Sequence, residues 1–239
     1  MKAFLKHLAR KFGYDIMHLP SEPLLRQRLS LLQNHDIDLI FDIGANEGQY
    51  VKKMRALGYQ GKIVSFEPLL DAYDKLKQCA GADPLWTVVN SAVGNYDGEA
   101  EINVSQNSYS SSLLAMLPLH LASAPDSKYI AKIRVPICKI DTIIDQYAEA
   151  GRKLFVKVDT QGYERQVFAG CAGSLKKIVG FQMELSLVPL YQGETLLPEM
   201  IDLLRARGYK LMLLESGHCS YATGELLQVE GIFYRSAEK

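Results

Sequence analysis

The chain has 239 residues, 48% of them hydrophobic, and carries 27 Lys plus Arg against 27 Asp plus Glu. That length suits one domain with a sizeable core, and the zero formal charge supplies no long-range field for nucleic acid, so no nucleic-acid partner is expected. Cys79, Cys138, Cys171 and Cys219 form no CxxC pair, there is no run of about 18 apolar residues, and the N-terminus lacks a signal-peptide segment, so free thiols, no integral membrane segment and a cytoplasmic location are expected.

Residues 1–16, "MKAFLKHLARKFGYDI", place Phe4, Leu5, Leu8 and Phe12 on one helical face and Lys2, Lys6, Arg10 and Lys11 around the rest. A basic amphipathic helix of this kind suits weak peripheral contact with an anionic membrane. Docking on its own domain or on a second subunit is the simpler expectation, and it leaves an oligomer possible. Residues 1–35 are therefore read as a helical extension and 36–239 as one domain.

From residue 38 onward strand and helix patterns alternate, which predicts a mostly parallel sheet with helices on both faces. Strands are predicted at 38–42, 62–66, 85–90, 154–159, 179–185, 209–215 and 226–234, and helices at 47–57, 69–80, 140–149, 163–170 and 195–207. Gly58 and Gly208 sit where helix C-terminal glycines belong. The last two strands are joined by a short polar stretch without helical pattern, so they are expected to pair antiparallel. Residues 95–139 break the rhythm: "GEAEINV" and "KIRVPICKI" read as two short strands, separated by a long serine-rich excursion. Such an excursion is either a substrate-side lid or a solvated loop.

The stretch "LIFDIGANEG" ends an apolar strand in Asp42 and turns through Gly44, Ala45 and Asn46 before a helix. Small residues at a strand-to-helix turn let the backbone approach a ligand, next to the free N–H groups of the helix. Glu67 follows Asp42 by 25 positions, at the end of the next strand, where a carboxylate accepts ribose hydroxyls. A dinucleotide needs GxGxxG, with a glycine where Asn46 stands. S-adenosylmethionine carries a sulfonium and no phosphate, and it tolerates Asp42 and Glu47 nearby. The sulfonium cofactor is therefore expected, with an NAD(P)-dependent oxidoreductase as the rival enzyme and a non-catalytic binding module as the rival outside enzymology.

The segments "FDIGANEGQY", "SFEP", "NSAVGNYDGEAEINV", "IDTIID", "LFVKVDTQGYERQVFAG" and "FQMELSL" give the chain, over roughly residues 36–234, a sequence that resembles the FkbM family of S-adenosylmethionine-dependent methyltransferases. The resemblance implies an α/β fold of the class I methyltransferase (Rossmann-like) kind. That fold is a three-layer sandwich around a seven-stranded, mostly parallel sheet with an antiparallel last strand. It also implies O-methylation of a hydroxyl, on a saccharide, a glycan or a related small molecule. By position, Asp42, Gly44, Ala45, Asn46 and Glu47 would surround the methionine part of the cofactor, Glu67 with Pro68 the ribose, Ser91 and Ala92 the adenine, and Asp159 would face the methyl-transfer site. Gln161 departs from the family pattern, in which Glu is common.

Removing a proton from a carbon-bound hydroxyl requires a base or a metal. Lys157 and Asp159 share one face of the strand 154–159, and Glu184 ends the following strand on the same carboxyl edge, where ligands of open α/β sheets bind. Asp159, Glu184 and Lys157 are thus the candidate catalytic set. A divalent metal on the carboxylates is possible but has no ligand pattern to support it. Glu164, at a helix start, suits a dipole or backbone-bracing role, and His218 is a lone loop histidine.

Overall fold

A computed structural model describes residues 23–149 and 151–236. The basic amphipathic segment 1–16 lies outside the described residues. In chain order the elements are α1 (Pro23–Asn34), β1 (Leu39–Ile43), α2 (Gln49–Ala56), β2 (Lys62–Phe66), α3 (Leu70–Ala80), β3 (Trp86–Val89), β4 (Ala92–Val93), β5 (Gly98–Ser105), α4 (Pro118–Ser123), β6 (Tyr129–Cys138), α5 (Ile140–Tyr147), β7 (Leu154–Val158), α6 (Glu164–Ala169), β8 (Ile178–Ser186), α7 (Leu197–Ala206), β9 (Tyr209–Ser216) and β10 (Gln228–Arg235). All seven predicted strands of the main sheet and all five predicted helices are present, with ends shifted by a few residues.

The main sheet runs β3-β2-β1-β7-β8-β10-β9. β1 and β7 are the central pair, parallel to each other and buried along their whole length. That burial explains why "LIFDI" and "LFVKV" are near-continuous apolar runs rather than alternating ones. Successive side chains still point to opposite faces. Phe41 and Ile43 join a core with helices α5 and α7, whereas Ile40, Phe155 and Ile63 join a second core that includes Leu32 of α1 and Val51 and Met54 of α2. The last strand is antiparallel, as expected. It does not lie at the edge, however, but is inserted between β8 and β9 and pairs antiparallel with both.

The excursion is built on a three-stranded sheet, β4-β6-β5, in which β5 and β6 pair antiparallel along most of their length. Its serines are largely buried rather than solvated. Ser110, Ser112, Ser123 and Ser127 are inside, and Ser105, Asn107, Ser110, Ser111, Ser127 and His120 form a continuous hydrogen-bonded network. The helix α4 within it was not predicted.

Candidate active site

One cavity of about 520 Å³ opens at the carboxyl edge of β1, β2, β7 and β8, the place at which open α/β sheets bind ligands and a volume within the usual range for a small-molecule site. The turn after β1 forms one wall. Gly44 adopts φ +71°, and a Cβ there would lie 1.8 Å from the main-chain oxygen of Asp159. Only glycine lets the β1 and β7 ends approach so closely.

Asn46, also left-handed at φ +46°, caps the turn. Its Oδ1 accepts from the Glu47 N–H at 2.9 Å and its Nδ2 donates to Ser108 Oγ of the excursion at 3.1 Å. The Gly48 N–H goes to the Ala45 carbonyl at 2.9 Å. The amides a pyrophosphate would need are therefore already taken.

Glu67 is almost fully buried against this turn. Its two oxygens accept the N–H groups of Asn46 (2.8 Å) and Leu69 (2.9 Å). Burial dominates its titration and pushes it up to about 7, against those two bonds. Each oxygen keeps a lone pair for a hydroxyl donor. Pro68, Ser91 and Ala92 continue the same wall. Ser91 turns its hydroxyl onto the Ala92 carbonyl at 2.8 Å, and it contributes surface rather than a free donor.

Asp42 and Glu47 do not line the cavity. Asp42 is fully buried beneath it, with Oδ2 accepting from Ser65 Oγ at 3.0 Å, which in turn accepts from Trp86 Nε1 at 2.9 Å. Its Oδ1 lies 3.2 Å from Lys157 Nζ. Glu47 is directed at Lys75, 2.7 Å away.

Lys157 is the hub of the floor. Its ammonium donates to the Gly44 carbonyl at 3.1 Å and lies 3.2 Å from Asp42 and 3.6 Å from Asp159. Burial would lower its proton affinity, but the charges of Asp42, Asp159 and Glu230 outweigh it and raise the pKa above the ordinary lysine value. It stays cationic and cannot serve as a base. Its effect is to fix Asp159 and to tie the β1 turn to β7.

Asp159 and Glu184 meet through Gln161. The Gln161 Nε2 donates to Asp159 Oδ1 at 2.9 Å and to Glu184 Oε2 at 2.6 Å. Gln228 adds a 3.0 Å bond to Glu184. Burial, then the charges of Asp159, Glu230 and Glu164, raise Glu184 well above the ordinary carboxylate value. A group with raised proton affinity that lines a cavity is suited to receive a proton.

Glu164 stands outside the cavity wall and braces the turn after β7. Its Oε1 accepts the Thr160 N–H, the Thr160 hydroxyl and the Gly162 N–H at 2.9, 3.0 and 3.3 Å. His218 is likewise absent from the cavity lining, with its Nε2 2.9 Å from Ser123 Oγ and its ring stacked on His120.

Arg28, Glu215 and Glu230 are among the lining residues that escaped the sequence reading. Arg28 of α1 forms a two-pronged pair with Glu215 of β9, at 2.8 and 2.7 Å, and lies 4.0 Å from Glu230 of β10. Gln161, read from sequence only as a departure from the family pattern, also lines the cavity. Glu184, Glu230 and Glu215 are direct cross-strand neighbours. The signal for Glu230 was an acid inside the otherwise apolar "LLQVEGIFYR", and for Glu215 its place at a strand's carboxyl end, the same argument that found Glu184. Among the described residues no group of three or more His, Cys, Asp or Glu is placed to hold a metal ion, and no helix is long and apolar enough to cross a membrane.

Residues 42–211 match the model of the methyltransferase FkbM domain. The chain belongs to the FkbM methyltransferase family. It is 26% identical over 187 residues, 75% of each chain, to the 2-O-methyltransferase NoeI of Sinorhizobium fredii. Among solved structures, a methyltransferase FkbM from Methylobacillus flagellatus aligns at 13% identity with a TM-score of 0.47, over 82% of this chain and 44% of that longer one. Magnesium protoporphyrin IX methyltransferase from Synechocystis, solved with bound SAM, aligns at 8% identity with a TM-score of 0.47, over 89% of this chain and 78% of the other. The FkbM chain described here is an α/β methyltransferase whose cavity combines a glycine turn, a buried acid and a bridged pair of carboxylates.

Proposed function

We propose that this methyltransferase uses S-adenosylmethionine to methylate a hydroxyl of a saccharide or a related small molecule, with 36–239 as its catalytic domain and the cytoplasm as its compartment. The observation that carries the reading is the bridged pair Asp159–Glu184, which lines the same cavity as Glu67. The residues fit the cofactor. Glu67 retains acceptor capacity for two ribose hydroxyls. Asp159, Glu184, Glu215 and Glu230 make the cavity acidic against Arg28, Lys53 and Lys157, which favours a sulfonium over a pyrophosphate. The four thiols are free, in keeping with a reducing compartment. A saccharide hydroxyl agrees with the 2-O-methyltransferase named among the relatives.

S-adenosylmethionine, when bound, supplies a methyl group on a positively charged sulfur, so no acid is needed at the leaving group. The chain's own task is positioning and proton removal. Asp159 and Glu184 take the hydroxyl proton of the acceptor, Lys157 holds Asp159 in place, and Asp42 holds Lys157. Ser108, Tyr109 and Ser112 of the excursion form the roof against which the acceptor rests. Calorimetry with S-adenosylhomocysteine and with a nicotinamide dinucleotide, followed by transfer of labelled methyl from S-adenosylmethionine to a panel of methyl glycosides, tests the reading. Binding of S-adenosylhomocysteine and label on a glycoside are expected. Binding of the dinucleotide alone would overturn the cofactor assignment, and label on no member of the panel would overturn the saccharide.

A further inference from the structure

Gln161 occupies an unusual position. It is left-handed at φ +56°, a conformation that is strained for a non-glycine residue and persists where its surroundings enforce it. Every polar atom of its side chain is engaged. The two N–H bonds of its amide go to two different carboxylates, Asp159 at 2.9 Å and Glu184 at 2.6 Å, while its Oε1 accepts from the Tyr191 hydroxyl at 2.7 Å. The Tyr191 side chain is fully buried. The two acids dictate the orientation of the amide, because a flipped Gln161 would aim its oxygen at both of them, and the Tyr191 hydroxyl holds the oxygen on the other side. The Gln161 main-chain carbonyl accepts from Ser112 Oγ of the excursion at 2.7 Å. One residue thus contacts both carboxylates, a buried tyrosine and the roof of the cavity.

We infer that Gln161 is a positioning residue of the methyl-transfer site, which clamps Asp159 and Glu184 into one arrangement facing the cavity and ties that arrangement to the serine-rich roof through Ser112. The inference rests on the reading of Asp159 and Glu184 as the proton-accepting pair. Two carboxylates brought together without a donor between them disfavour each other's ionised form. A neutral amide with two N–H groups relieves that conflict, since each bond favours the ionised form of its own partner. The other charged groups facing the pair are Lys157 on β7, 3.6 Å from Asp159, Glu230 on β10 beside Glu184, and Glu164 at the start of α6. Lys157 reaches Asp159 but makes no bond to Glu184, so the donor the two acids share is Gln161.

The test is a carboxyl titration followed by NMR on protein labelled with ¹³C in the Asp and Glu carboxyls, with Asp159→Asn and Glu184→Gln used for assignment. Gln161→Met, close in volume but without donors, is expected to raise the midpoints of both Asp159 and Glu184 by about 1 pH unit or more. Glu164, bonded to the turn backbone, should move less. Tyr191→Phe, which removes the bond that holds the Gln161 oxygen, should shift both midpoints in the same direction by a smaller amount. Midpoints within about 0.2 unit of wild type in folded Gln161→Met would overturn the inference, since a purely structural glutamine would lower the melting temperature without moving them. Should Gln161→Met fail to fold, Gln161→Glu replaces it. Three adjoining acids are then expected to titrate as a coupled set, at least one far above its wild-type midpoint, and unchanged midpoints would be equally fatal. The titration needs neither cofactor nor acceptor. A failure of the methyl-transfer reading would instead appear as no binding of S-adenosylhomocysteine to wild type.

Discussion

Asp42→Asn is the sharpest probe of the site's floor. Asparagine keeps the shape of the side chain and one acceptor oxygen, but it removes the charge 3.2 Å from Lys157 Nζ. Breaking a buried pair by neutralising one member costs about 3–5 kcal/mol, because the other charge is stranded. Lys157 would retain the Gly44 carbonyl at 3.1 Å and Asp159 at 3.6 Å, which places the loss at the low end, about 3 kcal/mol. For a domain of this size that corresponds to a fall in melting temperature of about 6–12 °C. The lysine's pKa is raised on folding, so its contribution is complete below the unfolded value of 10.5 and is lost only as pH climbs through the still higher folded value. Urea unfolding near neutral pH therefore measures the whole effect. Adding Lys157→Met to Asp42→Asn removes the stranded charge and should recover at least about half of the loss. An Asp42→Asn variant within about 1 kcal/mol of wild type would refute the pairing argument. A double variant no more stable than the single one would assign the loss to the Ser65–Trp86 relay instead.

Gly44→Ala places a methyl group within 1.8 Å of the Asp159 carbonyl on a backbone at φ +71°. Loss of S-adenosylhomocysteine binding by at least about 100-fold is expected in calorimetry, because the β1 turn must move away from β7. Glu164, held up to about 7 chiefly by burial, binds a proton more tightly folded than unfolded, so its contribution to stability falls as pH rises from about 4.5 to 7. Glu164→Gln retains an acceptor for all three bonds that Oε1 makes, and should raise stability at pH 8 relative to pH 5 by up to about 3 kcal/mol in urea unfolding; an identical pH dependence in both proteins would refute this. Ser108→Ala removes the roof's bond to Asn46 and should weaken S-adenosylhomocysteine about 2- to 10-fold without a comparable loss of stability.

The fold was readable because its determinants are local. Short, mostly apolar runs bounded by turns specify strands such as β2, predicted at 62–66 and observed at Lys62–Phe66. Strand order is not local. The short connection between β9 and β10 announces their pairing, but the insertion of β10 beside β8 depends on which face each strand buries, and "LLQVEGIFYR" leaves that open. The excursion shows the same limit. Its serines are buried by bonds to one another and to Asn107 and His120, and a serine that satisfies another serine is indistinguishable in sequence from one that faces water.

At the site, sequence position identified the edge of the sheet on which chemistry is placed, but not the depth of each side chain. Asp42 was read beside the cofactor because it ends a strand before a glycine turn, yet period-two geometry sends it under the sheet's helical cover, where it must pair with Lys157 to be tolerated. Arg28 could not be assigned at all, because its partners Glu215 and Glu230 lie about two hundred residues away in the chain and an isolated arginine on an amphipathic helix has a solvated face as its ordinary explanation. Its placement has a consequence for the cavity. Glu184, Glu230 and Glu215 are adjacent across three strands, and adjacent like charges on a sheet repel. Arg28 offsets the charge at the β9 and β10 end of that row, Gln182 donates to Glu230 at 2.6 Å, and the amides of Gln161 and Gln228 supply donors to Glu184, so a cation reaches the row from α1 while neutral amides from β8, β10 and the turn after β7 satisfy the rest.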